Sequence, residues 1–150
     1  MGGSSIDAQW MAAAARFAAR ARPVSRPNPG VAAFVMRDNR LIARGLTQKG
    51  GRPHAEALAL EGLSQAELSE ATLYVTLEPC AHLSQRGPAC ADLISAAAPK
   101  RVVIGQHDPD PRTAGLGIEK IQAAGIDVDV LEDEPSAIHP SRDCASLSVT

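Results

Sequence analysis

No apolar stretch in the 150 residues is longer than a strand requires, so the sequence offers no segment able to span a membrane. It also lacks the layout of a secretory signal. The first apolar run, Met11 to Ala15, is short and alanine-rich, and arginines follow it instead of preceding it. Excess charge of one sign is missing: Lys and Arg number 15 and Asp and Glu 17, a net charge of −2. That balance counts against a polybasic footprint for nucleic acid, yet it leaves room for a local basic pocket around a small phosphorylated molecule. Cysteine is scarce and odd in number, at three, and two of the three flank one Pro-containing loop. These features favour a reducing cytoplasm over a disulfide framework. There is no internal repeat. What is present, 45% hydrophobic residues in this length, suffices for one domain with a core and is too little for two.

Ser5 to Arg22 reads as a helix capped by Ser5, with Trp10, Ala13 or Ala14, Phe17 and Ala21 at helical spacing. Trp10 and Phe17 would pack on a sheet or on a neighbouring chain. In Arg22-Pro-Val-Ser-Arg-Pro-Asn-Pro-Gly30 three prolines forbid a helix and enforce an extended path. Val31 to Met36 and Leu41 to Leu46 read as two strands of a hairpin turning at Asp38-Asn39. A polar loop, Thr47 to Arg52, leads to Pro53, which suits the first turn of a helix running from His54 to Leu63. Ala71 to Leu77 is a buried strand, Glu78 to Pro88 a loop, and Ala89 to Ala98 a helix stopped near Pro99. Arg101 to Gly105 is another buried strand. Helical sequence from Thr113 to Ala124 then ends at Gly125, a left-handed cap. Ile126, Val128 and Val130 alternate with Asp127 and Asp129, which predicts a strand with one wet face. This order predicts a three-layer α/β/α sandwich around a five-stranded mixed sheet. The domain is expected to occupy residues 1–134, and residues 135–150, with His139 and Cys144, a weakly ordered tail.

Two segments carry the chemistry: Pro53-His54-Ala55-Glu56 at one helix start, and Glu78-Pro79-Cys80 with Cys90 at the next. A single histidine beside Ala and Glu is usually an ordinary surface or core residue, and two cysteines around a loop are usually buried thiols. Together, at successive helix starts after strands, they form a set of one imidazole and two thiolates that suits Zn²⁺. Three protein ligands leave a fourth position for water, which separates a catalytic site from a closed structural one. Glu56, two residues beyond His54, can reach that water without entering the coordination shell. The helix N-termini favour thiolate over thiol. This is the H-x-E … P-C … C arrangement of zinc deaminases, in which the Glu moves protons as water replaces an amino group. The backbone N–H groups of Ala55 and Cys80 are candidates to orient a substrate carbonyl. His107, just past a strand end, lies on the ligand side of such a sheet, and Lys49 and Arg52 could add to a phosphate-attracting field. Glu78 reads as a brace for its loop.

Pro27-Asn-Pro-Gly-Val31, Pro53-His-Ala-Glu56, Tyr74-Val-Thr-Leu-Glu-Pro-Cys80, Ala81-His82, Arg86-Gly-Pro-Ala-Cys90 and Asp108-Pro-Asp-Pro111 resemble the deaminase domain of bacterial riboflavin biosynthesis enzymes. That domain lies within the cytidine-deaminase-like superfamily, and the resemblance covers roughly residues 6 to 132. Nucleobase and tRNA branches usually join their cysteines as C-x-x-C, whereas nine residues separate Cys80 from Cys90, as is typical of the riboflavin branch. The resemblance implies hydrolytic deamination of 2,5-diamino-6-ribosylamino-4(3H)-pyrimidinone 5′-phosphate, a small phosphorylated substrate. It further implies a zinc cofactor and a homo-oligomer (dimer or higher), while the charge balance and the lack of a long apolar run leave neither nucleic acid nor membrane as an expected partner.

Carried over position by position, Asn28 would contact the base or ribose, His82 the ribose phosphate region, Arg86 the phosphate, and Asp108 the ribose or ring substituents. The chain departs from the family pattern at four points. Thr47 stands at the position of a substrate-binding His, Asp110 at that of an Asn after Asp-Pro, and Ala32 at that of a Gly. The cysteine spacing is one residue longer than the commonest form. The family enzyme usually continues into a reductase domain, and no segment here reads as one. Two other readings stay open: a deaminase of another nucleobase, nucleoside or tRNA adenosine, and a non-catalytic zinc module.

Overall fold

A computed structural model describes residues 2–21, 30–48, 54–81 and 89–131, with the backbone alone for 2–5 and 21. The proline-rich stretch 22–29, most of the Cys80–Cys90 loop and the expected tail from 135 onward lie outside the described residues. Five strands form one sheet: β1 (Ala32–Arg37), β2 (Arg40–Leu46), β3 (Thr72–Val75), β4 (Arg101–Ile104) and β5 (Asp127–Val130). Their order is β2-β1-β3-β4-β5. β1 runs antiparallel to both β2 and β3, while β3, β4 and β5 are parallel, so the sheet is mixed as expected. The helices are α1 (Gly2–Ala18, continued by a 3-10 turn at Ala19–Ala21), α2 (Ala55–Leu60), α3 (Gln65–Leu68), α4 (Cys90–Ala97) and α5 (Leu116–Ala123).

The two-residue period of the strands divides the core between two faces. Ala33 and Val35 of β1, Leu73 and Val75 of β3 and Val102 and Ile104 of β4 face α2, α4 and α5. There they meet Ala55, Ala59, Ala91, Ile94, Ile118 and Ile121. Ala32, Phe34, Met36, Tyr74 and Val103 face α1 and meet Ala14 and Ala18, with Trp10 and Phe17 partly buried beside them. The Phe17 and Phe34 rings lie 5.9 Å apart, so Phe17 packs on its own sheet. Three layers result. Asp38 and Asn39 form the expected two-residue hairpin turn, both with positive φ.

Boundaries differ from the sequence reading in instructive ways. α1 begins at Gly2, before Ser5. α2 stops at Leu60 because Glu61 turns extended and Gly62 takes φ +83. Residues 113–115 form a turn, and α5 starts only after Gly115, whose φ is +89. α3 was not expected; Ser64 and Glu67 close a reciprocal capping box around it. Among the described residues no helix is long and apolar enough to cross a membrane.

Connections through α4 and α5 bring the C-terminal ends of β3 and β4 to the same sheet edge as the N-terminus of α4. Because β1 is antiparallel, its first residue and the end of β2 arrive there too: Ala32 pairs with Leu46, and Ala33 with Val75. The polar residues of interest collect along that edge, where ligands of such sheets bind.

Candidate metal centre

β3 ends where Thr76 turns back on β1: its hydroxyl accepts from the Ala32 N–H at 3.1 Å, and its own N–H donates to the Ala32 carbonyl at 3.1 Å. The chain then runs through Glu78 and Pro79 to Cys80. The start of α4 is seated on this segment, with the Cys90 N–H donating to Cys80 Sγ at 3.2 Å and the Ala91 N–H to the Cys80 carbonyl at 2.9 Å. His54 precedes the first turn of α2, in extended backbone. Gly45 of β2 lies directly against that turn, and a methyl group there would collide with the Ala55 carbonyl. A glycine inside a strand pattern signals this kind of backbone-on-backbone approach.

His54 Nδ1, Cys80 Sγ and Cys90 Sγ consequently lie within 4.8 Å of one another. Nδ1 is 2.9 Å from Cys90 Sγ and 4.0 Å from Cys80 Sγ. Glu56, two residues on in the first turn of α2, is only 4% exposed. Burial pushes its carboxyl up from the ordinary range, and the negative charge of Cys80 adds to the rise, against the lowering influence of a backbone hydrogen bond, the His54 charge and a hydrogen bond with Cys90. Cys80 is held down to about 4, chiefly by hydrogen bonding from Cys90 and also from His54. Cys90, as the proton holder of that pair and a buried group, is pushed up.

Among the described residues this is the one trio of His, Cys, Asp or Glu side chains placed to hold a metal ion. One imidazole nitrogen and two sulfurs form a borderline-soft donor set that fits Zn²⁺ and leaves a fourth position free. Residues 4–106 match the family model of the cytidine and deoxycytidylate deaminase zinc-binding region. The chain belongs to that family.

Within this deaminase family the chain is 43% identical over 125 residues to riboflavin biosynthesis protein RibD of Aquifex aeolicus, an alignment covering 83% of this chain and 35% of the relative. It is 42% identical over 133 residues to the chloroplastic riboflavin biosynthesis protein PYRD of Zea mays, covering 88% and 33%. The chain thus spans about a third of the length of the curated relatives it matches. Among solved structures, RibD of Acinetobacter baumannii superposes with TM-score 0.81 at 39% identity, covering 91% of this chain and 38% of that one. A Thermotoga maritima diaminohydroxyphosphoribosylaminopyrimidine deaminase/5-amino-6-(5-phosphoribosylamino)uracil reductase gives 0.70 at 36%, covering 88% and 39%. The dCMP deaminase of cyanophage S-TIM5, at 22% identity and TM-score 0.57, shares the fold. The fold is therefore cytidine-deaminase-like.

The remaining residues singled out in the sequence fall into three groups. Asn28, His82 and Arg86, with Lys49 and Arg52, lie outside the described residues. Thr47 sits at the site edge but is 4% exposed; its hydroxyl accepts from the Val31 N–H at 2.9 Å and donates to the Val31 carbonyl at 3.2 Å. Ala32 is fully buried. Asp108 and Asp110 occupy the turn after β4, past His107. Asp108 Oδ1 accepts from the Asp110 N–H and Oδ2 from the Thr113 hydroxyl, both at 2.9 Å. Asp110 pairs with Arg112 at 2.8 Å, and hydrogen bonds from Arg112 hold its carboxyl down to about 2. The carboxylate at this position thus comes with its own countercharge.

Proposed function

We propose that this chain catalyses the hydrolytic deamination of the diaminopyrimidine ribotide, 2,5-diamino-6-ribosylamino-4(3H)-pyrimidinone 5′-phosphate, in riboflavin biosynthesis. The observation that carries the proposal is the buried Glu56 carboxyl placed beside a convergent His54, Cys80 and Cys90. His54, Cys80 and Cys90 are the residues that would hold zinc. Held there, zinc would supply the Lewis acidity that lets water ionise near neutral pH. Glu56 then takes up a proton from the water that attacks the ring carbon bearing the amino group. It returns protons to the ring nitrogen and to the departing amine, which leaves as ammonia. A carboxyl raised by burial suits both halves of that transfer, because its proton affinity lies nearer the working pH.

The similarity to RibD proteins supports the choice of substrate, and so does the nine-residue separation of Cys80 from Cys90. Asn28, His82, Arg86, Thr47, Asp108 and Asp110 are the proposed substrate contacts, with Arg86 on the phosphate. The cytoplasm and a homo-oligomeric state, dimer or higher, belong to the same proposal. Incubation of zinc-loaded protein with the ribotide, cytosine, cytidine and guanine, followed by an ammonia assay, tests the reading. Release from the ribotide is expected. Turnover of another member of the panel, or none above a Glu56→Gln control, would overturn the assignment.

A further inference from the structure

Glu78 is 5% exposed, and every lone-pair direction of its carboxylate is answered by the backbone. Oε1 accepts from the N–H groups of Asp108 and Gly115, each at 3.0 Å. Oε2 accepts from Gly117 at 2.9 Å and Ile118 at 3.3 Å. The donors lie 30 to 40 residues further along the chain, in the turn after β4 and the first turn of α5. The Glu78 N–H itself donates to the Gln106 carbonyl at 2.9 Å. Gly117 lies so close that a methyl group there would collide with the Pro79 carbonyl. One carboxylate thus joins two halves of the site. On one side stands Cys80, two residues away across a proline whose φ is fixed. On the other stands Asp108, whose peptide is held by Glu78 and whose side chain organises Asp110 and Thr113.

We propose that Glu78 is a positioning residue that sets the metal-ligand loop at Cys80 and the substrate-side turn at Asp108 in one fixed register. The Asp108 half of this rests on the function proposed above; the Cys80 half does not. Glutamine would test it sharply, since its NH₂ would replace one acceptor and face two backbone N–H donors. Buried N–H groups left without acceptors do not tolerate that arrangement.

Zinc-loaded wild type, Glu78→Gln and Glu78→Asp are compared by zinc transfer to a chelator, by the thiolate-to-metal absorption band after cobalt(II) replacement, and by KM and kcat for the ribotide. The expected result for Glu78→Gln is about tenfold or faster zinc loss, a shifted cobalt band and a KM raised about tenfold, the scale on which supporting residues act. A merely structural brace would lower the melting temperature and leave zinc transfer, cobalt band and KM unchanged, and that outcome would overturn the proposal. If Glu78→Gln does not fold, Glu78→Asp, which keeps the charge but draws the carboxylate back by one methylene, decides on the same readings. The chelator and cobalt readings need no substrate. A wild type that fails to deaminate the ribotide therefore counts against the proposed function and not against the tie between Glu78 and Cys80.

Discussion

At the scale of single residues, Glu56 and Thr47 separate chemistry from support. Glu56→Gln keeps the size and burial of the side chain but cannot take up a proton. Loss of a positioned general acid–base group costs roughly 10²- to 10⁴-fold in rate, so ammonia release should fall by that factor while zinc content, read by atomic absorption, stays at the wild-type level. Thr47→Val removes a hydroxyl that both accepts from and donates to Val31. A partly buried N–H is then left short of an acceptor, at a cost of about 1 kcal/mol, measurable by urea unfolding. A KM that rises along with that loss would show that the hydroxyl reaches substrate as well. The metal ligands were legible in the sequence because a donor set is a matter of residue identity: His54, Cys80 and Cys90 state their chemistry wherever they stand. Glu78 was legible only as a brace. The four N–H groups that define its role belong to residues 108–118, and nothing in local sequence announces that they will converge.

At the scale of elements, the strands were easy to read and their ends were not. β1 is buried on both faces, so its apolar run is continuous, whereas β5 at the sheet edge alternates Asp127, Val128, Asp129 and Val130. Each pattern reports its own burial. Ends depend on contacts instead: opposite Ala32 it is the Thr76 hydroxyl that takes the Ala32 N–H, and only the folded sheet reveals that. The short α3 carried a readable Ser-x-x-Glu cap, but four residues show no hydrophobic period. The end of α4 offers a direct test. Ala98 closes the helix in the left-handed region, with φ 52 and ψ 56, where a Cβ crowds the following carbonyl. Glycine removes that crowding at a modest entropic cost. Ala98→Gly should stabilise the protein by about 0.5–1 kcal/mol, seen as a melting temperature raised by roughly 1–4 °C in calorimetry.

At the scale of the whole molecule, α1 is a separate layer, and a charge cluster around the buried Asp7 ties it to the sheet. The Asp7 carboxylate, 3% exposed, accepts from the Tyr74 hydroxyl at 2.7 Å and from two nitrogens of Arg101 at 2.6 and 3.1 Å. Arg101 also reaches Asp129 on β5 at 2.7 Å, so a single guanidinium spans α1, β4 and β5. Burial alone would push the Asp7 carboxyl up. The hydrogen bonds from Arg101 and Tyr74, with the Arg101 charge, outweigh it and leave the group below its ordinary value. A folded-state value lower than the unfolded one makes this interaction stabilising above the unfolded value, about pH 3.9. The stabilisation is lost as pH falls through the folded value. Asp7→Asn should therefore cost about 2 kcal/mol at pH 7, the scale of a hydrogen bond to a charged group, and not the larger cost of an orphaned buried ion, because Arg101 keeps Asp129 and remains partly exposed. The gap between wild type and variant should hold from pH 7 down to about 5, then close toward zero in more acid solution. Urea unfolding at a series of pH values checks this. A gap that stayed constant into acid would mean that packing of the side chain, and not its charge, holds α1 to the sheet.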